Sequence, residues 1–161
     1  MSDWLKSHPH CLAVYGTLKR VWGNHDVLTR HGARFISEGR TMEKFVLTEQ
    51  FPYVWQPGTA LQKVYEPYLG QVVVELYRVS DAGLEACDRL EGHPTHYRRT
   101  PVTVLFGPEP QPQHITAGLY LRPRSIDPEE LMEPKKGLLE WGTVRQLTLE
   151  PLHPQFRRKR G

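Results

Sequence analysis

Fourteen prolines are spread along the 161 residues, and together with thirteen glycines they rule out most regular architectures. Each proline removes a backbone N–H donor, fixes its own φ and pushes the preceding residue out of the helical region. No helical bundle or coiled coil fits such spacing, and a collagen-like chain is excluded as well. What remains is a set of short strands, turns and a few short helices. Hydrophobic residues make up 39% of the sequence and charged ones 24%. That is enough apolar material for one core at this length and too much for a disordered chain, so a single domain over residues 1–161 is expected.

Composition also narrows the function classes. The first ten residues are polar and contain no apolar run followed by small residues, and no stretch approaches 18 uninterrupted apolar positions, so a soluble, cytoplasmic chain without a membrane partner is expected. Cys11 and Cys87 are too few and too far apart for a disulfide framework or a cysteine-rich zinc site, which fits a reducing compartment. The formal charge of +3 is too small to argue for nucleic acid. Its excess is concentrated in Arg157, Arg158, Lys159 and Arg160, where residues 157–161 read as a solvated basic tail.

Residues 11–15 form a short apolar run that stops at Gly16, as a buried strand entering a loop would. Asn24 offers a cap to a two-turn helix over residues 25–30, closed by Gly32. Residues 33–47 alternate loosely, with Phe35, Phe45 and Leu47 as inward candidates and Gly39 as a break, so two strands are expected there. Residues 71–79 are dense in β-branched and aromatic side chains and give the clearest strand. Ser80 or Asp81 then caps a helix from Ala82 to Leu90 or Glu91, stopped by Gly92 and Pro94. Residues 101–106 and 115–121 read as a strand pair across a proline-rich loop, and residues 143–149 as a last strand. Six or seven strands against two or three short helices favour an α+β fold with a curled, barrel-like sheet.

Two segments could carry chemistry. In the loop Tyr15-Gly16-Thr17-Leu18-Lys19, successive backbone N–H groups can converge on an anionic group, and Gly16 lets a ligand come close to the main chain. An ordinary strand-to-helix turn accounts for the same residues. On the second helix, Leu84, Cys87 and Glu91 share the apolar face. A carboxylate there is partly desolvated, with its pKa raised, as a general base acting on an amine requires. The competing readings are a helix-end glutamate frayed into water and a role for the neighbouring Asp88. Pro and Gly interruptions around His8, His10, His93 and His96 prevent the helical spacing that sets two imidazoles on one ion, so no metal site is expected. The Gly-x-Ser-x-Gly elbow and the phosphate-binding Gly-x-x-x-x-Gly-Lys-Ser/Thr loop are both missing.

Taken as a pair, Val14-Tyr15-Gly16-Thr17-Leu18-Lys19-Arg20 and the stretch Asp88-Arg89-Leu90-Glu91-Gly92-His93-Pro94-Thr95-His96-Tyr97 resemble the gamma-glutamylcyclotransferase-like superfamily. Further matches at Asn24-His25, Leu28, Gly39-Arg40-Thr41 and residues 70–77 look most like its gamma-glutamylamine branch. The similarity covers roughly residues 12–121; residues 49–69 and those beyond Arg122 match poorly, and Val21-Trp22-Gly23 replaces a shorter approach to the Asn. The resemblance implies a small mixed β-barrel flanked by short helices, and an enzyme that cyclises a gamma-glutamyl group to 5-oxoproline and releases the amine with no metal or cofactor. It implies Glu91 as proton acceptor, Tyr15, Gly16, Thr17 and Leu18 as the substrate-binding loop, and Tyr97 as a pocket wall. Gamma-glutamyl-epsilon-lysine is the expected kind of small-molecule substrate, with glutathione turned over poorly. A non-catalytic binding module on the same fold, a cyclotransferase of gamma-glutamyl amino acids and a nucleic-acid role for the basic tail are the competing readings.

Overall fold

A computed structural model describes residues 3–20 and 22–142; the expected strand at 143–149 and the basic tail lie outside the described residues. The elements in chain order are α1 (Asp3–Ser7), β1 (His10–Val14), α2 (His25–Arg30), β2 (Arg34–Leu47), β3 (Val54–Trp55), α3 (Gln62–Tyr65), β4 (Gly70–Val79), α4 (Asp81–Glu91), β5 (Arg98–Phe106), β6 (Gln113–Leu121) and β7 (Leu138–Leu139). Strands β2, β5, β6, β1 and β4 pair in that order, and β4 pairs back onto β2 to close a five-stranded barrel. All of these pairings are antiparallel except β1 with β6, so the barrel is mixed. The α+β barrel with short helices is the expected architecture.

Alternation along the strands sorts two cores. Ala13 on β1 and Val72, Val74 and Leu76 on β4 point into the barrel with Phe45, Leu47, Val104, Leu119 and Trp141. Their neighbours Leu12, Val14, Tyr77 and Val79 point outward and bury against Val27 and Leu28 of α2 and Cys87 of α4. This period of two is what a half-covered strand imposes. β1 pairs with the second half of β4, from Glu75 to Val79, and β7 pairs with its first half at Gln71 and Val72. The edge that β1 leaves open is thereby covered.

Three expectations are corrected. Residues 34–47 form one 14-residue strand, and register shifts between Phe35 and Ser37 and between Arg40 and Lys44 bend it around the barrel. Gly39 is no break: a side chain there would meet the Leu105 carbonyl at 2.7 Å, so glycine lets β5 and β2 approach. Phe35 faces outward, 43% exposed, beneath the Arg20 guanidinium, which stacks on its ring at 4.2 Å.

Candidate active site

The end of β1 delivers Tyr15 to Leu18 into a turn closed by the Lys19 N–H on the Gly16 carbonyl at 2.9 Å. A turn of this kind leaves the N–H groups of its two central residues, Thr17 and Leu18, out of its own hydrogen bond. The turn is clamped from several sides. Asn24 holds the N-cap position of α2 but makes no side-chain cap; its amide instead donates to the Thr17 hydroxyl at 2.7 Å. His25 Nδ1 lies 2.8 Å from the Leu18 carbonyl. The buried Glu75 carboxylate accepts from the Arg20 N–H and from the Tyr77 hydroxyl, each at 2.9 Å. Lys19 is buried, and its ammonium donates to the Trp141 carbonyl at 2.5 Å. Burial lowers the Lys19 pKa, partly offset by the charges of Glu140, Glu75 and Glu38.

Glu91 is the last residue of α4. The helix begins at Ser80, whose hydroxyl accepts from the Gly83 N–H at 3.0 Å, and ends at Gly92 in the left-handed region at φ 66°. A side chain on Gly92 would also meet the His96 Cβ at 2.9 Å, so the chain reverses there only as glycine. The reversal leaves Glu91 half-buried rather than frayed, with no hydrogen bond or ion pair to its carboxylate among the described residues. Burial pushes its pKa up to about 7. The carbonyls at a helix C-terminus act in the same direction on a carboxylate.

Asp88, one turn back, has the opposite environment. Burial alone would raise its pKa, but the Arg99 guanidinium at 2.9 and 3.2 Å and the Tyr120 hydroxyl at 2.7 Å hold it below the usual carboxylate range. It is a committed structural anion, whereas the Glu91 carboxylate is unengaged. The two carboxylates of one helix are thus pushed apart in pKa by their surroundings.

Tyr15, Gly16, Thr17, Leu18, Glu91 and Tyr97 line one cavity of about 30 Å³, together with Val14, Pro52 and Tyr120. Such a volume admits a small polar group rather than a whole substrate. A wider recess of about 300 Å³ shares Thr17, Pro52, Glu91 and Tyr97 with it and adds Asn24, Tyr53, Leu90 and His96. The Tyr15 hydroxyl donates to the Tyr120 carbonyl at 2.5 Å, and the Tyr97 hydroxyl to the Pro52 carbonyl at 3.1 Å. Burial, with the Glu91 charge nearby, raises the pKa of both phenols, so they stay protonated as donors. The side-chain direction at Gly16 is filled by Pro52, whose Cβ would lie 2.6 Å from an added Cβ. Gly16 is therefore required by a protein contact, whatever else approaches it.

Pro52, Tyr53 and Tyr120 are site residues that sequence reasoning missed. The first two arrive with β3, which pairs through Val54 and Trp55 onto the end of β2 and accepts the Arg122 N–H at the Val54 carbonyl, 2.7 Å away. No local pattern announces that placement. Three of the four histidines weighed as ligands have other partners: His8 Nε2 lies 2.8 Å from the Gly32 carbonyl, His10 pairs with Asp81 at 2.6 Å, and His93 Nδ1 accepts from the Arg99 N–H at 2.9 Å. Among the described residues, no three His, Cys, Asp or Glu side chains gather as metal ligands.

A Methanocaldococcus jannaschii protein described as a candidate gamma-glutamylcyclotransferase is 33% identical over 113 residues, covering 70% of this chain and 83% of the relative. The human gamma-glutamylaminecyclotransferase is 32% identical over 129 residues, covering 73% of this chain and 80% of its own. The crystal structure of an aig2-like protein from Mus musculus superposes with a TM-score of 0.63 at 26% identity, covering 94% of this chain and 96% of that one. The family model described as "Gamma-glutamyl cyclotransferase, AIG2-like" matches residues 12–141, twenty positions beyond the resemblance seen in the sequence. The added stretch holds β7 and Trp141, which closes the barrel beside Trp22 at a ring distance of 4.6 Å. The chain thus belongs to the gamma-glutamyl cyclotransferase, AIG2-like family, whose reaction is cyclotransfer on gamma-glutamyl compounds.

Proposed function

We propose that this protein is a gamma-glutamylamine cyclotransferase in which Glu91 is the general base and the Tyr15 to Leu18 loop holds the glutamyl group. The observation that carries the reading is Glu91 itself: an unengaged, half-buried carboxylate with a pKa near 7, in one cavity with the loop.

The reaction needs little beyond this. The alpha-amine and the gamma-carbonyl belong to one molecule, so holding them in a five-membered arrangement supplies much of the barrier reduction, on the order of 7–11 kcal/mol for well-oriented intramolecular attack. The alpha-nitrogen attacks the gamma-carbon and Glu91 takes a proton from it. The N–H groups of Thr17 and Leu18 steady an anionic oxygen, either the alpha-carboxylate or the developing oxyanion. The bond to the departing nitrogen breaks as Glu91 returns its proton there, giving 5-oxoproline and a free amine. A base with pKa near 7 suits both proton transfers at neutral pH.

The choice of a gamma-glutamylamine is supported by the named mammalian relatives and by the open recess beyond Glu91. The test is 5-oxoproline release from gamma-glutamyl-epsilon-lysine, gamma-glutamyl amino acids and glutathione. Preferred turnover of the first is expected, and a clear preference for glutathione contradicts the branch.

A further inference from the structure

Beyond Glu91 the surface turns strongly cationic. His93, Thr95, His96, Arg122 and Arg124 border a recess of about 450 Å³ that no carboxylate lines. It adjoins the site directly, because Gly92 follows Glu91 and His96 lines both this recess and the one containing Glu91. We propose that this recess is a carboxylate-binding subsite for the leaving half of the substrate, with Arg122 and Arg124 selecting amines that themselves carry a carboxylate. The inference rests on the cyclotransferase reading and names the substrate class within it.

Arg122 is held ready for the purpose. Its guanidinium carbon lies 4.5 Å over the Tyr53 ring, and Nη1 donates to the His96 carbonyl at 3.3 Å while lying 3.0 Å from His96 Nδ1. A guanidinium stacked on one face keeps its edge N–H groups for a planar acceptor. Neither Arg122 nor Arg124 has an ion-pair partner among the described residues, whereas Arg99 is spent on Asp88. The cationic field reaches the site. Arg122 and Glu91 act in opposite directions on the ionisation of both Tyr15 and Tyr97. Burial, then the charges of Arg122 and Arg124, lower the His96 pKa.

The leaving half is long enough to carry a carboxylate away from the reacting centre into the adjoining recess. In gamma-glutamyl-epsilon-lysine the lysine carboxylate lies six bonds from the isopeptide nitrogen, roughly 7 Å when extended. A simple alkylamine has nothing to place there.

The test compares gamma-glutamyl-epsilon-lysine with gamma-glutamyl-cadaverine, which keeps the distal amine and lacks only the carboxylate. In the unaltered enzyme kcat/KM for the lysine compound should be about tenfold higher, mostly through KM, as one charge-assisted contact supplies. Arg124→Gln, at an exposed position, and Arg122→Gln should each bring the ratio toward one. Arg122→Gln also removes the stack on Tyr53, so the Arg124 variant guards against local misfolding. Equal kcat/KM for the two substrates, or a ratio unmoved in both variants, overturns the subsite and leaves the reaction standing. Absence of 5-oxoproline from both substrates overturns the gamma-glutamylamine reading and the subsite with it.

Discussion

Pro52 stands where a side chain on residue 16 would go, its Cβ only 2.6 Å from the position an added Cβ would take. The Tyr15 to Leu18 loop is thus pressed against the segment that precedes β3. Gly16→Ala should lower kcat/KM at least tenfold by displacing the loop, and Pro52→Gly, which removes both the Cβ and the Cγ that the new side chain meets, should recover part of that loss in the double variant. A Gly16→Ala enzyme with unchanged kinetics would show that the contact gives way without moving the loop.

The Asn24 amide on the Thr17 hydroxyl links α2 to the same loop. Thr17→Ser keeps the acceptor and should stay within about twofold of normal activity, while Thr17→Val and Asn24→Ala should each raise KM. A double-mutant cycle on Thr17→Val and Asn24→Ala should return a coupling of about 1 kcal/mol. Strict additivity would separate the two residues.

Asp88→Asn should act on stability more than on catalysis. Its carboxylate has a depressed pKa, so the stabilisation is in place above the ordinary carboxylate pKa and is lost as pH falls through the depressed one. Replacing it weakens the contacts from Arg99 and Tyr120, and thermal unfolding at neutral pH should show a loss on the order of 1–3 kcal/mol with kcat largely kept. Loss of kcat in a variant of normal stability would give Asp88 a chemical role.

Much of this arrangement is legible along the chain. The β-branched run of β4 and the Ser80 cap and Gly92 stop of α4 are local signals, and they suffice to put Glu91 at the inner end of an apolar helical face. The bend of β2 is not legible, because its register shifts follow from closing the barrel onto both β4 and β5, a constraint that no window of sequence contains. Pro52 and Tyr120 escape for the same reason: each reaches the cavity through strand pairings distant in sequence. Asn24 shows a different limit. Its residue type marks a cap, yet its side chain serves the neighbouring loop, since its backbone is already helical at φ −81° and ψ −4° rather than in the extended conformation from which a side chain caps.

The raised pKa of Glu91 has a consequence for stability that does not involve turnover. A carboxyl raised from 4.5 to about 7 costs nothing in the fold below about pH 4.5, costs progressively more as pH rises to 7, and costs a constant amount above. Glu91→Gln should therefore stabilise the protein at pH 8 by about 3 kcal/mol and leave it unchanged at pH 4. Equal effects of the substitution at both pH values would mean that Glu91 is not desolvated.

The most direct measurement is 5-oxoproline release from gamma-glutamyl-epsilon-lysine by folded Glu91→Gln protein beside the unaltered enzyme across pH 5–9. The unaltered enzyme should gain kcat/KM about tenfold per pH unit up to a pKa near 7, the value burial gives this carboxyl. Glu91→Gln keeps the shape and hydrogen bonding of the side chain but cannot accept the proton, and its turnover should fall by about 10²–10⁴-fold or more with that pH dependence gone. Near-normal turnover by the folded variant, with the same pH profile, would contradict the assignment of Glu91 as the base.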